Sequence, residues 1–232
     1  MEINFSELPQ HYTFPFPQVD TEAQAEIINY MWSSILAGDD DPNSLVDSVD
    51  GILEEDEPSL SQLEEVAKTL IEARRQQLIQ WKEANLLTEN KLSKAFAQLR
   101  SQRILALENF TCCGTCGASE AYEQMSAESG QWDGYIFFHM QDTEVLLENR
   151  ETYLGYGVYW PSLCTEEQFN AMSNAEKDEY YENACRKMAD EILAPVFAQH
   201  GIDFSWNRNL DTRMLISNVD YVVDITDTES AE

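Results

Sequence analysis

Apolar side chains recur at helical spacing through the first half of the chain. Ile27, Met31 and Ile35 lie four positions apart, which places them on one face of a helix. Asp20 precedes this stretch, and an aspartate there can accept hydrogen bonds from the first free amides of a helix. The pattern therefore predicts a helix over about 21–37.

Further helices are predicted before the middle of the chain. Leu45 and Val49 mark a short amphipathic helix within an acidic stretch. A long helix is expected from Ser59 or Ser61 to about residue 86, and Thr88 can cap another to about residue 107. Because the break between the last two is short, they are expected to form an antiparallel helix hairpin.

The long helix also carries several bases. Arg74 interrupts its apolar stripe, and Arg75 and Lys82 follow it. Acids lie nearby in the sequence at helical spacing, so all three bases are expected to pair with acids of their own helix.

The hydrophobic pattern changes after residue 108. Short aromatic and β-branched runs, separated by turn residues, predict strands; they read GYIFFHM, TYLGYGVYW, IDFSW, RMLIS and DYVVDI. The stretch SWNRNLDTR is expected to join two strands as a hairpin. One helix interrupts the strands: Ser173 and Glu176 form its capping box, and Pro195 predicts a kink or an early stop.

Together these elements predict an α+β fold. Its N-terminal half is a helical region with a helix hairpin, packed on a mainly antiparallel sheet with one long helix. The expected divisions are an acidic helical region over 1–107, an α+β domain with a cysteine cluster over 108–226, and a disordered tail over 227–232.

Composition narrows the classes of function. The 232 residues include 43 acids and 14 bases, a formal charge of −29. Such a field repels nucleic acids and anionic membranes and attracts basic partners. The first residues resemble no signal peptide, no apolar run is long enough to span a bilayer, and five cysteines fit a reducing compartment. A cytoplasmic location is therefore expected.

The acidic charge is densest between residues 39 and 57, where nine acids occur without a base. This segment is the predicted surface for a basic protein partner, and Trp32 is its predicted aromatic anchor. The predicted partner-binding residues are Asp39, Asp40, Asp41, Asp47, Asp50, Glu54, Glu55, Asp56, Glu57 and Trp32.

Three of the five cysteines lie within five positions, as Cys112, Cys113 and Cys116. With His139 they have the residue types of a zinc site, although a second C-x-x-C pair is missing. Two other interpretations are a redox pair and a cysteine–histidine catalytic pair oriented by Asp142. Small buried cysteines at a helix–sheet junction are the fourth interpretation.

The second half of the chain resembles an uncharacterised bacterial family known only as a domain of unknown function. The shared pattern is F-x-C-C-x-x-C-G, then H-x-Q-D-T-E, then L-x-Y-G, and then a tryptophan followed by an arginine-containing strand. The resemblance covers roughly 105–220. It implies a shared architecture and a shared pocket near the cysteines, but no activity. The residues that carry it are Cys112, Cys113, Cys116, His139, Gln141, Asp142, Thr143, Glu144, Tyr156, Gly157, Trp206 and Arg213.

These observations favour a non-enzymatic, acidic binding protein. The expected role is that of an immunity or inhibitor protein that occludes the active site of a basic toxin or enzyme. The alternatives are a thiol- or zinc-dependent enzyme that uses the Cys112, Cys113, Cys116 and His139 region, and a regulatory interaction module. No cofactor is required by the favoured role, and zinc is the cofactor of the first alternative.

Overall fold

A computed structural model describes residues 5–9, 12–50, 58–87, 90–111, 114–128 and 130–226, with the side chain of Asp50 left out. Contacts between backbone positions divide the chain into two compact units. Unit 1 comprises residues 1–88 and 222–232, and unit 2 comprises residues 89–221. The tail predicted over 227–232 lies outside the described residues.

The regular secondary structure described in unit 1 is helical. The carboxylate of Asp20 accepts the amide hydrogen of Glu22 and begins the first helix, as predicted. The third helix begins after Ser59, whose capping box is completed by Gln62. The helices are α1 (Thr21–Leu36), α2 (Pro42–Asp50) and α3 (Leu60–Glu83).

The core of unit 1 encloses an arginine. Arg74 is only 1% exposed, and its guanidinium lies 5.9 Å from the ring centre of Trp32 and 5.2 Å from that of Trp81. Its Nη1 donates hydrogen bonds to the Phe5 carbonyl, at 2.7 Å, and to Gln77 Oε1, at 3.1 Å. Burial lowers the pKa of Arg74 to about 10.

The predicted pairing of Arg74, Arg75 and Lys82 with acids of their own helix is therefore wrong. Arg74 binds a carbonyl and an amide oxygen, Arg75 pairs with Asp40 and Lys82 pairs with Asp224. Both acids are distant in sequence, and the fold brings them to α3.

Unit 2 contains a five-stranded sheet in the order β1-β2-β3-β5-β4. The β1–β2 pair is parallel and the other three pairs are antiparallel. The α+β class and the mainly antiparallel sheet are thus confirmed. The strands are β1 (Ile104–Leu107), β2 (Gly134–Phe137), β3 (Glu151–Val158), β4 (Asp203–Ser205) and β5 (Met214–Ser217). The helices are α4 (Lys91–Ser101), α5 (Gly114–Ala127), α6 (Met140–Asn149), α7 (Trp160–Leu163), α8 (Glu166–Ala171), α9 (Asn174–Met188) and α10 (Ala194–Gln199).

The predicted helix to about residue 107 ends earlier. Asn90 caps α4, and the helix stops at Ser101. Arg103 then adopts a left-handed backbone (φ 69°), and the following residues form β1. The apolar run ILAL fits the spacing of a helix as well as that of a strand, and its pairing with β2 makes it a strand. Since α3 and α4 belong to different units, their packing as a hairpin stays a prediction.

The second half holds more helix than the sequence pattern indicates. Helices α5 and α6 were not expected. In α5 the buried positions are Gly117, Ala121 and Met125, a narrow stripe of mostly small side chains. The run DYVVDI, predicted to be a strand, is irregular where it is described.

Pro195 does not end the helical path early, and the irregularity beside it is a π turn. A π-helical turn (Ala189–Leu193) separates α9 from α10, and Pro195 stands in the first turn of α10. Proline cannot donate the backbone hydrogen bond of a helix interior and crowds the carbonyl four residues earlier. The wider π turn relieves this conflict and lets the helical path continue.

Within the described part of the chain, none of the helices combines the length and apolar character that crossing a bilayer requires.

Candidate functional site

The acidic surface of unit 1 is built on α2. Leu45, Val46 and Val49 are buried on one side of this helix. Asp47 is exposed on it, and Asp41 is exposed immediately before it. The apolar side therefore holds α2 in its unit, while the carboxylates face solvent.

Three predicted partner-binding acids support the local structure. Asp39 accepts hydrogen bonds from the Asp41 amide, at 3.1 Å, and the Ser44 hydroxyl, at 2.6 Å. Asp40 is paired with Arg75 at 2.7 Å. Asp41 also accepts the Asn43 amide hydrogen at 3.0 Å. Glu54, Glu55, Asp56 and Glu57, and the side chain of Asp50, lie outside the described residues.

Bases are scarce in unit 1, which has four of them against 22 acids. All four lie on α3: Lys68 pairs with Glu64 of the same helix, and the other three are Arg74, Arg75 and Lys82. Four bases cannot neutralise 22 acids, so unit 1 keeps a large excess of negative charge.

Trp32 does not belong to this surface. Its side chain is 6% exposed, its Nε1 donates to the Ser6 carbonyl at 2.8 Å, and Arg74 lies over its ring. The prediction of Trp32 as an aromatic anchor is corrected by its position in the core of unit 1.

In unit 2, the buried His139 and Asp142 of the H-x-Q-D-T-E motif form a polar cluster with Arg213. His139 is the N-cap of α6, and its Nδ1 accepts the Asp142 amide hydrogen at 3.2 Å. Its Nε2 lies 3.2 Å from Asp142 Oδ2. Arg213, immediately before β5, binds both carboxylate oxygens of Asp142 and also donates to the Tyr153 carbonyl. The cluster thus joins α6, β3 and β5.

The same motif holds the segment that precedes the cysteines. Thr143 Oγ1 donates to Asn109 Oδ1 at 2.8 Å, and the Met140 amide donates to the Thr111 carbonyl at 3.1 Å. Asn109 (φ 49°) and Thr111 (φ 59°) both have left-handed backbones. A β-branched residue rarely adopts this conformation, so the neighbouring contacts must stabilise it.

The cysteines are described only in part. Cys112 and Cys113 lie outside the described residues, Cys116 is exposed, and Cys185 is buried with a thiol pKa that burial raises to about 11. Among the described residues, no group of three or more His, Cys, Asp and Glu side chains is arranged to hold a metal ion. Metal binding by Cys112, Cys113, Cys116 and His139 therefore stays a prediction.

A cavity of about 300 Å³ opens in unit 2 between α5, the end of β3, α9 and the loop before β5. We call it the aromatic pocket. The residues that define it are Tyr135, Phe137, Tyr156, Tyr181, Asp211 and Arg213.

Glycines allow the rings of this pocket to lie across β3. A Cβ atom at Gly157 would lie 2.5 Å from the Tyr135 ring, and one at Gly155 would lie 2.6 Å from the Phe137 ring. On the other side of Phe137, a Cβ at Gly117 would lie 2.4 Å from the ring. Such distances exclude any side chain at these positions unless the rings move. The sequence GYG thus serves ring packing.

Sequence reasoning did not find this pocket. Its parts come from residues separated by up to about a hundred positions, and only Tyr156 and Arg213 belong to the motif pattern. The available signal was the pair of glycines in an aromatic strand, since glycine in a strand often marks the close approach of another group.

The comparisons with known proteins agree with the resemblance in the sequence. No curated protein and no solved structure matches this chain. One family model, described as a domain of unknown function (DUF6891), matches residues 20–222. This match covers both the acidic helices and the sheet, so it extends beyond the expected 105–220. The chain belongs to this family, the domain of unknown function DUF6891.

Proposed function

We propose that the chain is a non-enzymatic binding protein that occludes a basic site on another protein, as an immunity protein does to a toxin or an inhibitor to an enzyme. The observation that carries this proposal is the negative charge of unit 1, which has 22 acids and four bases. Carboxylates at α2 expose part of this charge to solvent. Such a surface attracts lysine and arginine side chains, which speeds association with a basic protein, and it repels nucleic acid.

The structural role of α2 supports the same proposal. Asp41 and Asp47 are exposed beside a buried apolar side, so their charge is held in place without being consumed by folding. A carboxylate in a fixed position pays less entropy on binding than one on a flexible segment.

The thiol- or zinc-dependent alternative draws less support from the described residues. Both ring nitrogens of His139 lie 3.2 Å from atoms of Asp142. The imidazole is therefore engaged at the start of α6, whereas a general base needs a free nitrogen directed at its substrate or nucleophile.

The experiment compares two pairs of exposed acids, one pair at α2 in unit 1 and the other on α6 in unit 2. The α2 double variant is Asp41→Asn with Asp47→Asn, and the α6 double variant is Glu144→Gln with Glu148→Gln. Asparagine can still accept the capping hydrogen bond of Asp41. Both variants remove two negative charges, so a general loss of charge affects them equally.

A fluorescent oligolysine of 20 residues serves as the basic probe. The α2 double variant is expected to bind it about fivefold more weakly than wild type, with a reduced dependence on salt. The α6 double variant is expected to change affinity by less than about twofold. Equal losses in the two variants would mean that charge is spread evenly and that α2 has no special part.

Occlusion is tested by co-expression with the protein encoded beside this chain. A one-to-one complex that dissociates as salt rises, and that weakens in the α2 double variant, supports the proposal. A complex indifferent to both changes contradicts it.

A further inference from the structure

We propose that the aromatic pocket of unit 2 binds a small organic cation with a substituted ammonium group. All of its defining residues lie in unit 2, so this inference does not rest on the function proposed for unit 1.

Aromatic rings form the walls of the pocket. Tyr135 and Phe137 are only 9% and 2% exposed and form the floor, with glycines covering the faces of the Phe137 ring, so the rings open to a ligand are those of Tyr156 and Tyr181. Tyr181 is 37% exposed and lines the same cavity from α9, and Tyr156 lines it from β3. The face of an aromatic ring carries negative potential and attracts an ammonium group within about 6 Å of its centre.

The charges at the pocket also favour a cation. The exposed Asp211 lines the same cavity as Tyr156. Burial is the main cause that raises the pKa of Tyr156 to about 12, with smaller contributions from Cys185 and then Asp211, so this ring stays uncharged at neutral pH.

Arg213 is the positive side chain of the pocket, and its charge is compensated. Its guanidinium binds both oxygens of Asp142, which is 6% exposed, and also the Tyr153 carbonyl. Because Asp142 neutralises Arg213, the charge of Asp211 makes the electrostatic potential of the pocket negative. The net charge of −29 acts in the same direction at longer range.

The size of the cavity limits the ligand. A volume of about 300 Å³ is at the small end of ligand pockets, which span roughly 300–1,000 Å³. Gly114 and Ala118 line it with little side-chain volume. A trimethylammonium group with a short chain is of suitable size and can contact more than one ring.

The test compares three small molecules of the same shape. The probes are choline, its uncharged carbon isostere dimethylbutanol, and the anion dimethylbutanoate, each titrated into the full chain and followed by NMR chemical shifts. Choline is expected to bind at least about fivefold more tightly than the isostere. Binding of the isostere as tight as that of choline, preference for the anion, or absence of saturable choline binding would each overturn the proposal.

Variants of the pocket identify the groups responsible. Tyr181→Ala is expected to weaken choline binding roughly 5- to 30-fold, whereas Tyr181→Phe keeps the ring and is expected to change it less than about twofold. Tyr122→Ala is the matched control, because Tyr122 is an exposed tyrosine of unit 2 that does not line the pocket. If Tyr181→Ala binds choline as well as Tyr122→Ala does, the pocket is not the site.

The charge of Asp211 is tested separately. Asp211→Asn is expected to weaken choline about threefold and to leave dimethylbutanol unaffected. Asp203→Asn, another exposed aspartate of unit 2, is the control and is expected to change neither. An equal effect of the two substitutions would overturn the role assigned to Asp211.

Discussion

The two units use nearly the same number of acids in different ways. Unit 1 has 22 acids and four bases, and unit 2 has 21 acids and ten bases. In unit 2, Asp133 pairs with Arg103 at 2.7 Å, Asp190 pairs with Arg208 at 2.8 Å, and Asp142 binds Arg213. Carboxylates thus join the elements of unit 2, whereas unit 1 keeps most of its acids without a base.

The contrast is sharpest at the arginines. Arg74 is buried in the unit with the larger excess of acids, yet its hydrogen bonds go to a carbonyl and an amide oxygen. Arg213 lies partly exposed at the aromatic pocket and binds a buried carboxylate. Arg74 therefore forms no hydrogen bond to a carboxylate among the described residues of unit 1. Carboxylates that are not bound by a base of their own unit are what a surface directed at a basic partner requires.

The largest effect is expected from Arg74→Ala. The substitution leaves a cavity between two indole rings and removes the donor from the Phe5 carbonyl. It should lower the free energy of unfolding by about 3–4 kcal/mol in urea titration. Arg75→Ala, at the next position of the same helix, should cost about 1 kcal/mol. Equal costs would contradict a structural role for Arg74.

A smaller effect is expected from Asp142→Asn. This change leaves Arg213 without its charged partner and weakens the link between α6 and β5. We expect a loss of about 2 kcal/mol in the free energy of unfolding, since the arginine is partly exposed. Asp133→Asn, in a more exposed pair, should cost less than about 1 kcal/mol. If Asp133→Asn lowers the free energy of unfolding as much as Asp142→Asn does, the burial of Asp142 does not strengthen its pairing with Arg213.

The pH dependence of Glu108 provides a third test within unit 2. Burial raises the pKa of Glu108 above its ordinary value of 4.5, more than Ser93 and Arg100 lower it. The folded chain therefore binds this proton more tightly than the unfolded chain, so stability falls as pH rises from about 4.5 through the folded pKa. Relative to Glu108→Gln, wild type should lose stability over that range. A difference independent of pH would contradict this.

The smallest effect is expected from Asp47→Asn in unit 1. Asp47 is exposed and lies on the solvent side of α2, so its charge does not contribute to folding. The free energy of unfolding should change by less than about 0.5 kcal/mol. A loss as large as that of Asp142→Asn would mean that the acids of unit 1 are structural, and the contrast between the units would disappear.

Local signals in the sequence predicted several elements well. Asp20 and Ser173 cap their helices as expected, and Pro195 coincides with a π turn. These features depend on neighbours within a few positions, and their stereochemistry is the same in any fold.

Features that depend on distant residues could not be predicted. β1 exists because ILAL pairs with β2, although the same run fits a helix. The hydrogen bond of Arg74 to the Phe5 carbonyl and the pairing of Asp142 with Arg213 each join residues about 70 positions apart. Trp32 had the spacing of a helix face, and only the packing of unit 1 decides that this face is buried. Sequence spacing does not carry such information.

The most direct test of the central claim measures the rate constant at which the fluorescent oligolysine associates with the chain. It compares wild type with the α2 double variant, in which two carboxylates of unit 1 are neutralised. Stopped-flow fluorescence at low salt should give slower association for the α2 double variant than for wild type, and the difference should vanish as salt screens the charges. The α6 double variant should associate at nearly the wild-type rate. Identical rate constants for wild type and the α2 double variant at low salt would contradict the claim that this surface steers a basic partner.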